Sequence, residues 1–190
     1  MSNPPLNWLS RLKSFHLRYL SKPKSDRILF RLVHRYACRS VVEVGLTDLT
    51  RTVKLLQGAT WSRSDRPVRY TGIDTFDARE ANQPPLTLKE AHQRLAGSSW
   101  KARLAPGPGR FVLRRLANEL AETDLLLFSS RERLEENDDT WYYIPRMLHE
   151  SSIVLVETVS PEGDARFERL DVEEIGRRAE SAARRRRRAA

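Results

Sequence analysis

The stretch VVEVGLTDLTRT, residues 41–52, sets three valines and one acid ahead of a glycine and then tips into a helix-like pattern. A short, nearly all-apolar strand of this kind suits a parallel sheet, which is buried on both faces by its crossover helices. Gly45 ends the strand, and Asp48 can cap a helix over LTRTVKLLQGA. In α/β domains such a junction cradles a ligand, and it normally carries two or three glycines where this one has a single one.

Upstream, RILFRLVHRYA repeats apolar residues at helical spacing through Ile28, Leu29, Leu32, Val33 and Tyr36, with Ser25 or Asp26 placed to cap it. Before the SKPKS break, NWLSRLKSFHLRYL spaces Trp8, Leu9, Leu12, Phe15, Tyr19 and Leu20 as an amphipathic helix, with Arg11, Lys13 and Arg18 interspersed. Downstream, VRYTGID (68–74) reads as a second strand, TLKEAHQRLAG (87–97) as a helix closed by Gly97, and WKARLAPG as a third strand. GRFVLRRLANELA follows as a helix, and DLLLFSS (124–130) is the clearest strand. The segment around DTWYYIPRMLHE reads as a helix bent or divided at Pro145, and SSIVLVET (151–158) as the fifth strand. RFERLDVEEIGRRAESAARRRRR gives a short strand, a helix and a frayed basic tail. Strands alternating with helices over short connections predict a doubly wound, mostly parallel α/β sheet with right-handed crossovers.

At 190 residues the chain can bury one core without disulfides. Cys38 is the lone cysteine, which excludes an internal disulfide and a multi-cysteine zinc site. With no secretory apolar region ahead of the first charges, a reducing, cytoplasmic setting is expected. No run approaches the roughly 18–20 uncharged apolar residues that a membrane helix needs. The net charge of +9 suggests an anionic partner until its placement is considered. Residues 1–40 carry nine Lys/Arg against one acid, and Arg184 to Arg188 add five more, while residues 41–183 hold 20 bases and 24 acids. The basic balance therefore describes the ends and not a pocket in the middle.

In a doubly wound sheet, ligands sit outside the carboxyl ends of the strands, near the switch in strand order. That rule selects Glu43, Gly45 and Thr47 after the first strand, Asp74, Thr75 and Phe76 after the second, PGPG (106–109) after the third, and Ser129 and Ser130 after the fourth. Glu43 lies within an apolar strand, where an unpartnered charge is costly, so it either meets a ligand or pairs with Arg35 or Arg39 of the preceding helix. Asp74 either holds a ligand or forms the turn that opens TFDARE. PGPG reads as a tight strand-to-helix connection. His34, His92 and His149 have no partner at useful spacing, and no metal-spaced cluster, G-x-S-x-G elbow or phosphate-binding G-x-x-x-x-G-K-S/T occurs. WYYIPRML (141–148) either packs against the sheet or forms a substrate or homodimer surface. The N-terminal helix either packs over the domain, the favoured reading because Trp8, Phe15 and Leu20 need burial, or lies on an anionic membrane. The run Arg184 to Arg188 would contact RNA or DNA nonspecifically and in a salt-dependent way.

The order of helix, VVEVG, helix, GID, helix, PG, helix, DLLLFS, helix, IVLVE over residues 27–158 resembles the Rossmann-like methyltransferases that depend on S-adenosylmethionine (SAM). Members carry an E-x-G-x-G-x-G loop after the first strand and an acid at the end of the second that holds the ribose hydroxyls. Glu43 and Gly45 match the start of the loop, Thr47 and Leu49 stand at its later glycine positions, and Asp74 matches the ribose acid. Pro108 stands where an acid or amide reaching the adenine amine is expected, and FSSRER replaces the D/N-P-P-Y/F signature.

The resemblance implies SAM as cofactor, held by Glu43, Gly45, Thr47, Asp74, Thr75 and Ser129. The acceptor, unidentified, would lie among the loops at 75–85 and 129–140. The implied protein is methyltransferase-like, active or inactive. The alternative is a methyltransferase-derived scaffold, free of cofactor, that binds a protein or nucleic acid. A dinucleotide dehydrogenase matches less well, because the glycines and a second half are missing. Thr47 and Leu49 each add a Cβ to the loop and are expected to narrow a ligand's approach. No catalytic residue is named by the sequence, although the sulfonium of SAM supplies its own electrophile. The expected organisation is a basic amphipathic helix over 1–25, a Rossmann-like methyltransferase-type domain over 26–175, and a basic helix end with a disordered arginine-rich tail over 176–190.

Overall fold

Strand β1 (Ser40–Val44) is buried along its whole length between two parallel neighbours, β2 (Val68–Asp74) and β4 (Thr123–Phe128). The computed structural model that shows this describes residues 8–47, 49–62, 66–132 and 134–188. The capping role expected of Asp48 lies outside the described residues. Strand β3 (Trp100–Pro106) pairs outside β2, and β5 (Leu148–Val159) pairs outside β4, both parallel. Strand β6 (Ala165–Leu170) closes the far edge antiparallel to β5, giving the order β3-β2-β1-β4-β5-β6.

Alternation along the strands explains the two-sided burial. Val41, Leu125, Leu127, Ile153 and Leu155 join one apolar cluster with Leu29, Phe30, Leu55, Leu56 and Leu95. These come from α2 (Arg27–Arg35), α3 (Leu49–Ser62) and α4 (Leu88–Leu95). Val42, Val44, Leu126, Phe128, Val154 and Val156 join the other, with Val112, Leu113, Ile175 and Ala182 from α5 (Gly109–Leu116) and α6 (Val172–Arg188). Successive side chains of one strand thus feed opposite cores, the arrangement a doubly wound sheet requires.

Several local expectations are corrected. The segment at 139–147 is not one helix but two short 3-10 turns, Asp139–Tyr142 and Ile144–Met147, and 148–150 belong to β5. Pro145 lacks an amide proton and disfavours the α conformation in its predecessor, which divides the segment. Trp141, Ile144 and Met147 are core residues, so most of this aromatic stretch packs inward. Gly97 does not close α4, which ends at Leu95; the Trp100 indole donates to the Leu95 carbonyl at 2.8 Å and lies against Gly97. The arginine tail is helical to Arg188. Burial of Ala182, the Arg185–Asp139 pair at 3.2 Å, and Arg186 stacked on the rings of Tyr142 and Tyr143 hold it down.

Helix α1 (Trp8–Tyr19) packs on α2 and α3 through Ser14 and Leu17, and Leu17 nestles against Gly58 of α3. Burial of Trp8, Phe15 and Leu20 was the expectation, yet all three are exposed. The cause is geometric: only one side of the helix reaches its neighbours, and these side chains are on another.

Candidate ligand site at the carboxyl edge

The switch in strand order falls at β1, and the ends of β1, β2 and β4 meet there. Glu43 is completely buried one residue before the end of β1. Its carboxylate accepts hydrogen bonds from Thr52 Oγ1 at 2.8 Å, the Tyr70 hydroxyl at 2.9 Å and Arg51 Nη2 at 3.3 Å. Arg51 also donates to Glu157 at 2.6 Å, and Glu157 accepts from the Ser130 amide at 3.2 Å. Glu43 therefore pairs with an arginine of the following helix, not with Arg35 or Arg39. The reason is helical geometry: positions 51 and 52 sit on the first turn of α3, which passes over the strand they follow. Burial opposes the charge on Arg51, but Glu43 and Glu157 outweigh it and hold the guanidinium charged, with its pKa raised. Burial, then the Glu43 charge, pushes the Tyr70 phenol well above its ordinary value, so it remains a donor.

Asp74 ends β2, buried, and accepts four hydrogen bonds. Leu46 N and Phe76 N each donate at 2.8 Å, and Arg79 donates to both oxygens at 2.8 Å, Nε to Oδ1 and Nη2 to Oδ2. The turn-forming reading of Asp74 is thus met in the Phe76 contact, and Phe76 takes φ +47 to make it, an uncommon conformation for a residue with a Cβ. Arg79 reaches further, to the carbonyls of Leu46 at 2.5 Å and Pro84 at 2.8 Å, tying the loop after β2 to the loop after β1.

Between these carboxylates stands Gly45, at φ +75 in the left-handed region. A Cβ here would collide with Ser129 Oγ and come within 2.9 Å of Glu132 Cβ and Cγ. A glycine is required twice over, by the backbone turn and by the close approach of the loop after β4. Glu132 continues across the opening to accept from Gly109 N at 3.1 Å, at the start of α5. Burial raises its pKa above the ordinary value. Gly109 is needed for the same closeness, since a Cβ there would lie 2.5 Å from Val44 Cγ1.

Outside this closure lies an open cleft of about 1040 Å³, lined among others by Thr75, Gln83, Pro108, Arg131, Glu132 and Asp138. Arg131 carries a buried Nη1 without a hydrogen-bond partner, and burial, then the charge of Arg79, presses its pKa down. Thr47 Oγ1 is likewise buried and without a partner. Leu49 faces the core and does not enter the loop's mouth.

The structure brings Glu43, Gly45, Asp74 and Ser129 together at one edge, with Thr75 on the rim and Thr47 beside it. SAM does not fit the cradle with the side chains as they stand. Glu132 and Ser129 fill the space before Gly45, and Arg79 occupies the fork of Asp74. Leu49, expected to narrow the approach, is packed in the core instead. Arg51, Arg79 and Glu132 were missed as site residues. Arg79, five residues after Asp74, was the one with a local signal. Two histidines also gain partners across long sequence separations. His149 Nε2 is 3.0 Å from Asp124 at the opposite, amino edge, and His34 Nδ1 is 3.1 Å from Ser62.

No protein-family model matches the sequence, and no curated protein matches it. Solved structures do. The cofactor-bound crystal structure of Rv0187 from MTB is 18% identical with a TM-score of 0.51, over 82% of this chain and 66% of that one, so the chain spans just under two thirds of that protein's length. The O-methyltransferase TomG from Streptomyces achromogenes, involved in tomaymycin synthesis and solved in complex with SAM, is 15% identical with a TM-score of 0.50, over 94% of this chain and 78% of that one. A methyltransferase from Geobacter sulfurreducens is 13% identical with a TM-score of 0.51, over 90% of this chain and 91% of that one. Together with the six-stranded, mostly parallel sheet, these likenesses show that the chain has the Rossmann-like methyltransferase fold.

Proposed function

We propose that the chain is a SAM-dependent methyltransferase-like protein whose cofactor place is held shut by its own Arg79 and Glu132. The observation that carries this reading is the way Asp74 is satisfied. A buried carboxylate at the end of β2, beside the switch in strand order, receives a two-pronged donor from the adjacent loop and not from the core. A ribose diol offers the same pair of donors, so the guanidinium stands where such a ligand would bind. Once Arg79 and Glu132 turn into the cleft, Gly45, Thr47, Asp74, Thr75 and Ser129 would surround the cofactor, and the unused donors Thr47 Oγ1 and Arg131 Nη1 suit its carboxylate. Glu43, fully engaged with Arg51, Thr52 and Tyr70, would position the loop without touching the ligand. The acceptor would occupy the cleft between the loops at 75–85 and 129–140.

Titration calorimetry with SAM and S-adenosylhomocysteine tests the reading. Weak binding by the wild type should tighten by about tenfold in Glu132→Ala, a change of roughly 1.4 kcal/mol. Adding Asp74→Ala should abolish it. No heat from Arg79→Ala/Glu132→Ala at millimolar ligand sinks the proposal and leaves the cofactor-free scaffold.

A further inference from the structure

Among the described residues, exposed large apolar side chains concentrate on α1. Trp8, Leu12, Phe15 and Tyr19 are 68%, 57%, 50% and 46% exposed. Their spacing of four, three and four residues aligns them as one stripe along the helix. Within the stripe the rings of Phe15 and Tyr19 lie 4.9 Å apart. Ser14 and Leu17, which hold α1 to α2 and α3, are on the opposite side. The stripe therefore lies on the outer side of the helix, with Leu12 and Tyr19 at the edges of the grooves against α3 and α2, and none of its four side chains is buried by the described residues.

The charge around the stripe has one sign. Arg11, Lys13 and Arg18 flank it, and α1, α2 and α3 contain no acid. Asp26, the one acid between residues 8 and 40, is buried. Two grooves border the helix, one with Lys13 and Lys54 on its walls and the other with Arg18, Arg31 and Arg35, so the cationic surface extends over the neighbouring helices. Arg18 lies over the Tyr19 ring at 5.5 Å, a cation set at the border of the apolar stripe.

We propose that α1 docks the protein on an anionic lipid surface, lying in the interface plane with Trp8, Leu12, Phe15 and Tyr19 in the acyl boundary and the flanking cations among the head groups. An exposed apolar stripe with a basic margin is what such a surface selects. Tryptophan and tyrosine suit a boundary that is apolar on one side and wet on the other. Charge argues against a second copy of this chain, which would set Arg11, Lys13 and Arg18 against their own kind. A nucleic acid would match the charge but leave the four apolar side chains unexplained. No helix among the described residues is long and apolar enough to cross a membrane, so the contact is peripheral. This proposal is independent of whether SAM binds.

Flotation of the full chain with vesicles of phosphatidylcholine alone and of equal parts phosphatidylcholine and phosphatidylglycerol tests it. Binding is expected to the mixed vesicles only, and to weaken with added salt. Leu12→Asp/Phe15→Asp should reduce it by about tenfold or more while leaving circular dichroism and thermal unfolding unchanged, because both positions are exposed. That variant retains the basic end of α6, so the loss locates the contact on α1. Trp8→Phe should remove the blue shift of tryptophan emission seen on vesicle addition. Equal binding by Leu12→Asp/Phe15→Asp overturns the proposal, as does binding to neutral vesicles alone. No binding to the mixed vesicles also overturns it. Concentration-dependent dimers abolished by the same variant would then assign the stripe to a second copy, and nucleic-acid binding abolished by it would assign the face to that partner.

Discussion

Glu43 and Asp74 stand at or next to the ends of neighbouring strands, both buried and both with an arginine, and they are held in different ways. Glu43 is locked from inside the fold by Arg51, Thr52 and Tyr70, and Arg51 is itself shared with Glu157 across the sheet. Asp74 is satisfied half by backbone amides and half by Arg79, which comes from the rim and anchors on carbonyls of two loops. One carboxylate is held by side chains of the following helix and the neighbouring strand, and the other by the loop that follows its own strand. Matching residues to a family pattern treats the two alike, whereas their partners separate them.

The sharpest way to break that contrast is to remove the two arginines. Arg51→Ala strands two buried carboxylates and should lower the unfolding free energy by about 3–5 kcal/mol in urea denaturation. Arg79→Ala leaves Asp74 its two amide donors and strands one carboxylate instead of two, so a smaller loss of about 1–3 kcal/mol is expected. Equal losses would show that the Asp74 pair is as structural as the Glu43 cluster.

A gentler probe is the pH dependence of Glu132. Its folded pKa is raised above the ordinary value of 4.5, chiefly by burial, so the charged form costs stability as pH rises through 4.5 and above. Glu132→Gln removes that cost while keeping an acceptor for Gly109. Its stability relative to wild type should therefore improve from acid to neutral pH in paired urea titrations, and a constant difference would contradict the burial assigned here. The smallest effect is a control away from the site. Burial, and then the Asp124 carboxylate, pushes the Cys38 thiol up to about 12, so a thiol reagent should modify it only in denaturant. Rapid native reaction would show that the helical cover is looser than described.

Much of the fold is legible in order and periodicity. VRYTGID matches β2 residue for residue, VVEVG is displaced from β1 by one residue at each end, and DLLLFSS starts one residue late and runs two residues past β4. Short apolar strands carry their own signal because both faces demand the same residue class. The segment at 139–147 misled because its apolar spacing suits either a helix or successive tight turns, and Pro145 decides between them only in context. The arginine tail misled differently: charge density predicts solvation, but Asp139 gives Arg185, and Tyr142 and Tyr143 give Arg186, something to hold. Of the site, Gly45 and Asp74 were legible as positions and not as occupants. Arg51 lies eight residues from Glu43 and Glu157 another 106 from Arg51, a separation no local pattern spans.

The sequence by itself determined the doubly wound sheet, the strand that ends at Gly45, and the places where two carboxylates stand, because strand burial and turn chemistry are local demands on residue type. Tertiary structure alone decided what fills the cradle and which way α1 faces. Those outcomes depend on Ser129 and Glu132 arriving from beyond β4 and on which side of a helix finds a neighbour, and long-range contacts of that kind leave no periodic mark in the chain.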